Sequence, residues 1–294
     1  MSGRPLPFLG SRASWEGGSV TDSAVCVLAH NPNVMTLDGT NTWLLHVPGS
    51  RKCIVIDPGP DEKGHFEAIL AAAELRDAQI GAVLLTHRHL DHSAGAKSLA
   101  ERTKTYVRSA DPEFRLGAEG LETGDVILVD QTELRVVSTP GHSSDSVSFL
   151  MSHDNTMLTG DTVLGRGTAV ISAPDGNVAA YLDSLLRMRE AVAENEVGML
   201  LPGHGPALNA PDDILNGYYE HRVARLEQVR VATTTGLRTS DEVLDEVYSS
   251  TPEKLRTAAL QSVKAQLLHL QSLGQFTTDE DLTSPPTKPL DVED

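Results

Sequence analysis

Four short clusters of histidine and aspartate each follow an apolar, strand-like run, and that arrangement constrains the fold more than any other feature of the chain. The first cluster, Thr86-His87-Arg88-His89-Leu90-Asp91-His92, follows Ala82-Val83-Leu84-Leu85. His142 follows the run 134–138 through Thr139-Pro140-Gly141, Asp161 follows 156–159, and His204 follows 198–201 through Pro202-Gly203. A strand end holds a side chain firmly while its loop stays open, so four such ends converging on one edge make a site. Neutral imidazoles and carboxylates suit zinc and similar borderline metals. His87 and His89 alternate, which puts both on one side of an extended segment, whereas Asp91 and His92 turn towards a neighbouring position. One loop can therefore feed two metals, spaced by roughly 3.5–4 Å as dinuclear sites are. The clusters contain no cysteine, which favours an open, water-bearing site over a closed structural zinc shell.

Strand patterns at 24–29, 42–47, 53–57, 82–86, 126–129, 134–138, 146–151, 156–159 and 198–201 interleave with helical patterns at 65–75, 94–102 and 179–193. Tight turns between successive strands predict mixed sheets in a layered α/β domain. After Leu208 the pattern turns helical, at 218–231, 239–248 and 252–273. Thr239 with Glu242 forms a capping box, Pro252 suits a first turn, and Gly274 marks a helix stop. The expected organisation is a flexible lead-in at 1–20, the α/β domain at 21–208, a small helical domain at 209–276 and a disordered acidic tail at 277–294.

Charge narrows the partners. Lys and Arg number 24 against 41 Asp and Glu, a net charge of −17, which argues against broad affinity for nucleic acid or anionic membranes. No stretch has the apolar length of a membrane span, and residues 1–18 lack the apolar core of a secretory signal. Cys26 and Cys53 make neither a metal spacing nor a disulfide framework, and Cys53 reads as a buried strand thiol. A soluble cytoplasmic protein is the expectation.

At the clustered ligands the chain resembles the metallo-β-lactamase superfamily, whose His-x-His-x-Asp-His signature stands here at 87–92. The resemblance implies a four-layer αβ/βα sandwich with metals at the sheet edges. It implies His87, His89 and His142 as ligands of one divalent ion, Asp91, His92 and His204 as ligands of a second, and Asp161 as the bridging carboxylate. Asp57, in Ile56-Asp57-Pro58-Gly59, matches an aspartate that steadies the ligand loop from behind. Zinc is the default for both positions, and manganese or iron suits the same groups.

A narrower similarity, to the lactamase-like-2 group, is carried by Asn31-Pro32-Asn33-Val34-Met35-Thr36-Leu37-Asp38-Gly39-Thr40-Asn41-Thr42, by Gly160-Asp161-Thr162-Val163-Leu164-Gly165-Arg166-Gly167-Thr168 and by Tyr219-Glu220-His221-Arg222. It implies a C-terminal winged-helix-like domain, and its better-known animal members are endoribonucleases acting on single-stranded RNA. Asn41 and Arg166 are expected to contact substrate, Arg166 through an anionic group. Residues 33–40 form either a flap beside the site or a plain hairpin loop. The stretch 263–276 resembles the third helix of a winged helix. It offers only Lys264 and His269 as basic residues, so a role at the substrate rim or in a homodimer is expected rather than duplex reading.

The expected function is a metal-dependent hydrolase in which hydroxide held between two cations attacks the substrate and Asp91 orients it. Single-stranded RNA is the first substrate to consider. The rival is a thioester hydrolase like glyoxalase II, which shares all seven ligands but carries a different C-terminal region. A small-molecule substrate therefore stands beside RNA. A third reading, a metal-binding adapter without turnover, is opposed by the intact ligand set. The β-CASP nucleases replace the loop aspartate with glutamate, which Asp91 contradicts.

Overall fold

Two-residue alternation along the strands sorts the apolar side chains into three layers of core. The computed structural model describes residues 14–284. Its first sheet contains β1 (Gly18–Ser19), β2 (Ala24–Leu28), β3 (Asn41–Leu45), β4 (Lys52–Ile56), β5 (Gln79–Leu84) and β6 (Val107–Arg108), hydrogen-bonded in that order. The second runs β7 (Val126–Val129), β8 (Thr132–Ser138), β9 (Val147–Met151), β10 (Thr156–Gly160), β11 (Met199–Pro202) and β12 (Leu208–Asn209), again in chain order. Both are mixed: β4, β5 and β6 run parallel, as do β10 and β11, and the other pairs are antiparallel.

Trp43, Leu45, Ile54, Ile56 and Leu84 point inward from the first sheet and meet Ile127, Leu134, Val136, Phe149 and Leu158 of the second. The intervening residues Leu44, Cys53, Val55 and Val83 point the other way, against α1 (Lys63–Glu74) and α3 (Ala96–Thr103) through Phe66, Ile69 and Leu99. Val137, Leu150 and Met157 leave the second sheet on its outer side and pack on α4 (Val178–Glu194) and α5 (Pro211–Thr234) through Tyr181, Leu185, Met188, Leu215 and Tyr218. Period-two patterning on both sheets therefore yields the helix–sheet–sheet–helix order expected of this chain. The short α2 (Leu90–Ser93) opens directly from the first ligand loop. Cys26 and Cys53 are free and buried, and burial pushes both thiols up to about 12.

The C-terminal domain is a winged-helix fold built on the second half of α5, α6 (Ser240–Val247) and α7 (Arg256–Ser272), closed around Val229, Val243, Val263, Leu267 and Phe276. The capping box at Thr239 and Glu242 starts α6. Pro252 precedes a 3-10 turn, Glu253–Leu255, rather than opening the long helix. Lys264 is buried and donates to Ser284 Oγ (2.8 Å), so its charge is not on an outward face of α7.

Three expectations are corrected. The lead-in is not loose over its described part: Trp15 Nε1 donates to Asn41 Oδ1 (2.7 Å), and β1 pairs with β2. Residues 1–13 lie outside the described residues. The tail at 277–284 is likewise docked, with Leu282 2% exposed and Glu280 accepting from Ser240 N (2.7 Å) and Oγ. Its acids find hydroxyl and backbone donors that composition does not reveal, and 285–294 lie outside the described residues. Finally, α5 begins at Pro211, seven positions before the pattern at 218 suggested. Its first half belongs to the sandwich core and its second half to the C-terminal domain, so no break falls between them. No helix among the described residues is long and apolar enough to cross a membrane.

Candidate metal centre

Each predicted ligand sits just past a strand end, and all of them share one edge of the sandwich. The loop after β5 supplies His87, His89, Asp91 and His92. The loop after β8 supplies His142, Asp161 directly follows β10, and β11 leads to His204. Two backbone features make this convergence possible. A Cβ at Gly203 would lie 2.4 Å from Asp161 Oδ1 and 2.7 Å from the His92 ring, so only glycine lets this loop approach the site. Asp57 sits at φ 50, a left-handed conformation costly for a residue with a Cβ. It is held there by accepting from Thr86 N (2.7 Å), Thr86 Oγ1 (2.6 Å) and His92 Nδ1 (2.9 Å).

The donors divide into two triads. In the first, His87 Nε2 and His142 Nε2 each lie 3.0 Å from His89 Nδ1. In the second, His92 Nε2 and His204 Nε2 lie 3.2 Å apart, and Asp91 Oδ2 is 3.3 Å from the former and 3.1 Å from the latter. Asp161 stands between, with Oδ2 3.3 Å from His204 Nε2 and 3.8 Å from His142 Nε2.

Hydrogen bonds behind the rings decide which nitrogen carries a lone pair. His142 Nδ1–H donates to Val170 O (2.8 Å), and His204 Nδ1–H donates to Gly39 O (3.1 Å). His92 Nδ1–H donates to Asp57, and Thr86 Oγ1, having given its proton to Asp57, accepts from His87 Nδ1–H (3.0 Å). With metal bound, these tautomers leave the Nε2 atoms of all four rings to direct lone pairs into one small space, where cations would offset their mutual repulsion. Asp161 Oδ1 is buried with no hydrogen bond among the described residues, the state of an oxygen reserved for a metal. Asp57, His87 and His92 also cluster, but the Asp57 oxygens are already taken by Thr86 and His92, so it supports and does not ligate. The donor set fits two divalent ions.

Electrostatics separates the triads. Burial lowers His87, His89 and His142, the last to about 4, leaving neutral imidazoles. Burial also works against charge on His92 and His204, but Asp91 and Asp161 outweigh it, holding His92 well above the usual range and His204 at about 9. The carboxyls of Asp91 and Asp161 are pushed up by burial and pulled further down by His92 and His204, ending well below the ordinary range.

A cleft of about 760 Å³ opens from these donors. Val34, Met35 and Leu37 line one side, so residues 33–40 take the flap position, and Gly39 touches His204. Tyr248, Leu255 and Ala259 of the C-terminal domain line the other. Arg166 reaches the cleft and pairs with Asp38 of the flap. Asn41 does not reach it. It is fully buried, and its Nδ2 donates to Pro202 O (2.9 Å) and Gly205 O (2.7 Å), clasping both flanks of His204. The expectation of substrate contact fails because the side chain lies on β3 inside the sandwich. Sequence reasoning also missed Arg88, whose guanidinium lies 2.6 Å from Asp175, which in turn accepts from Ser144 N (3.1 Å). That pair ties the first ligand loop to the His142 loop. Alternation placing Arg88 opposite its flanking histidines was the available signal.

Comparison with known proteins gives the same picture. The family model of the metallo-beta-lactamase superfamily matches residues 35–204, and that of the beta-lactamase associated winged helix domain matches 239–283. A beta-lactamase-like protein 2 homolog of Drosophila melanogaster is 32% identical over 275 residues, covering 87% of this chain and 90% of that protein. Its counterpart in Caenorhabditis elegans is 29% identical over 259 residues, covering 85% of each. The crystal structure of a beta-lactamase domain protein from Burkholderia ambifaria superimposes with a TM-score of 0.72 at 23% identity, over 88% of both chains.

Proposed function

The chain belongs to the metallo-beta-lactamase superfamily, and from that premise we propose that it is a hydrolase working with two divalent cations, zinc by default. The observation that carries this reading is the pair of donor triads with Asp161 between them, its Oδ1 without a hydrogen bond among the described residues and 3.5 Å from His92 Nε2. Two cations bound there would polarise the scissile carbonyl or phosphoryl oxygen and make a water acidic enough to attack at neutral pH.

The chain's own residues supply the rest. Asp91 keeps 30% of its side chain exposed, against 0% for His92 and 1% for His204, and it lines the cleft. It is therefore the member of its triad placed to orient the attacking water and accept its proton. The flap residues Val34, Met35 and Leu37 give that water an apolar boundary. Asp57 and Thr86 fix the ring of His92, so the donors need no rearrangement before the reaction.

Single-stranded RNA is the first substrate to test, supported by Arg166 and Arg225 on the cleft wall. A thioester is the second, supported by the apolar flap and by the net charge of −17. Protein loaded with zinc or manganese is assayed on a labelled single-stranded RNA and on a panel of thioesters, beside Asp161→Ala. The expected result is turnover of one class that Asp161→Ala abolishes with the circular dichroism spectrum retained. Full activity in metal-depleted Asp161→Ala protein, or no turnover of either class with two metals bound, overturns the reading.

A further inference from the structure

The charges around the cleft are balanced at one end and not at the other. Asp175 pairs with Arg88, Arg166 pairs with Asp38, and Asp91 and Asp161 face His92 and His204. On the opposite wall α5 presents Arg222 and Arg225, one turn apart on one side of the helix. Arg222 is only 4% exposed. Its Nη2 donates to Ala169 O (2.8 Å), and its guanidinium lies 5.0 Å from the centre of the Tyr181 ring. Arg225 lies 4.4 Å from the centre of the Tyr248 ring and donates to Val247 O (3.0 Å) and Gln228 Oε1 (2.9 Å). Neither has a carboxylate within ion-pair distance among the described residues. A buried guanidinium without a counterion is costly, and carbonyls and ring faces offset only part of that cost. Both guanidiniums lie over aromatic rings, and each fork carries more N–H groups than these acceptors take up.

We propose that Arg222 and Arg225 form a subsite for an anionic group, a phosphate or a carboxylate, carried by the substrate at a distance from the bond that is cut. The local potential agrees: His221, beside them on the cleft wall, is lowered to about 4 by burial and by the two arginines. An arginine serving only to brace the backbone would be served as well by a neutral donor to Ala169 O. A fixed pair of guanidiniums opening onto the space that holds the metal donors instead matches a ligand that is itself charged. This subsite rests on the hydrolase reading for the word substrate, but the anion-binding claim can be tested without turnover.

Crystals of the metal-loaded protein soaked in tungstate give the direct test, because this tetrahedral oxyanion is located by its anomalous signal. An anomalous peak against Arg222 and Arg225, besides any at the metal donors, is expected. A peak at the metal donors alone, or no peak, overturns the subsite. Parallel titrations with inorganic phosphate and with succinate separate the two anion chemistries, and Arg225→Gln should weaken the better of them about tenfold. If an ester is turned over, Arg225→Gln and Arg222→Lys should raise KM about tenfold more for an ester bearing a remote anionic group than for its neutral analogue. Equal loss of kcat on both esters, with loss of bound zinc, would mean that Arg222 merely braces the Ala169–Val170 backbone behind His142. Anion binding without turnover of any ester would keep the subsite and sink the hydrolase reading.

Discussion

The two triads of the metal centre are built from similar donors at similar depth, yet their electrostatic surroundings differ. His87 and His142 rest their far nitrogens on a hydroxyl and a carbonyl, and burial leaves them neutral. His92 and His204 face carboxylates and attract protons despite equal burial. Depth therefore does not set the character of a buried imidazole here. The group it faces does, and the carboxylates of the second triad draw positive charge, proton or metal, towards its rings.

Asp161 stands between the triads and touches both, and removing it should have the largest effect. Asp161→Asn should lower turnover on the order of 10³-fold and leave fewer than two metals per chain by elemental analysis. Retention of both metals would dissolve the distinction between the triads. Asp57→Asn should weaken the second metal roughly 10–100-fold through His92, and the first metal less, through the Thr86 hydroxyl that holds His87, measured by competition with a chelator. Equal loss of both ions would show that the triads act as one unit.

His65 provides a buried histidine with no carboxylate, held by Thr42 Oγ1 (2.8 Å) and lowered by burial from 6.5 to about 4. The unfolded chain takes up a proton on this ring as pH falls below 6.5, while the folded ring stays neutral until about 4. Stability is then lost across that window, by up to about 3 kcal/mol. His65→Gln should shrink the difference between urea midpoints at pH 6.5 and 4.5, and an unchanged difference would refute the burial argument. The smallest effect is expected of Asn41→Ala, which removes the side-chain donor to Gly205 O and the acceptor of the Trp15 N–H, while Pro202 O keeps its Trp43 Nε1 donor (2.9 Å). It should cost about 1–3 kcal/mol in denaturant unfolding and loosen the second metal more than the first.

The centre was legible because each ligand stands next to a strand whose apolar run is visible, and glycines mark the turns between. The four-layer order was legible for the same reason, since alternation names the inward and outward faces. Asn41 was misread because its partners, Pro202 and Gly205, lie more than 160 positions away, and no local pattern reports which loop a side chain will meet. The two-residue strands β1, β6 and β12 are too short to show a period. The early start of α5 carried a signal that the periodicity overrode, namely Pro211 in the first turn followed by Asp212 and Asp213. The docking of 277–284 rests on Leu282 and Glu280, single residues in a stretch whose composition otherwise reads as solvent-exposed.

The 24 residues of α5 form an unbroken rod roughly 36 Å long. One end is cemented into the sandwich by Leu215 and Tyr218, and the other carries the winged-helix module on Val229 and Ala232. A helix that runs unbroken through both packing regions sets the gap between the donor cluster and the module by its own length, like the jaws of a locked caliper. The cleft between them takes its width from that spacing, and the turns at 33–40 form its remaining wall.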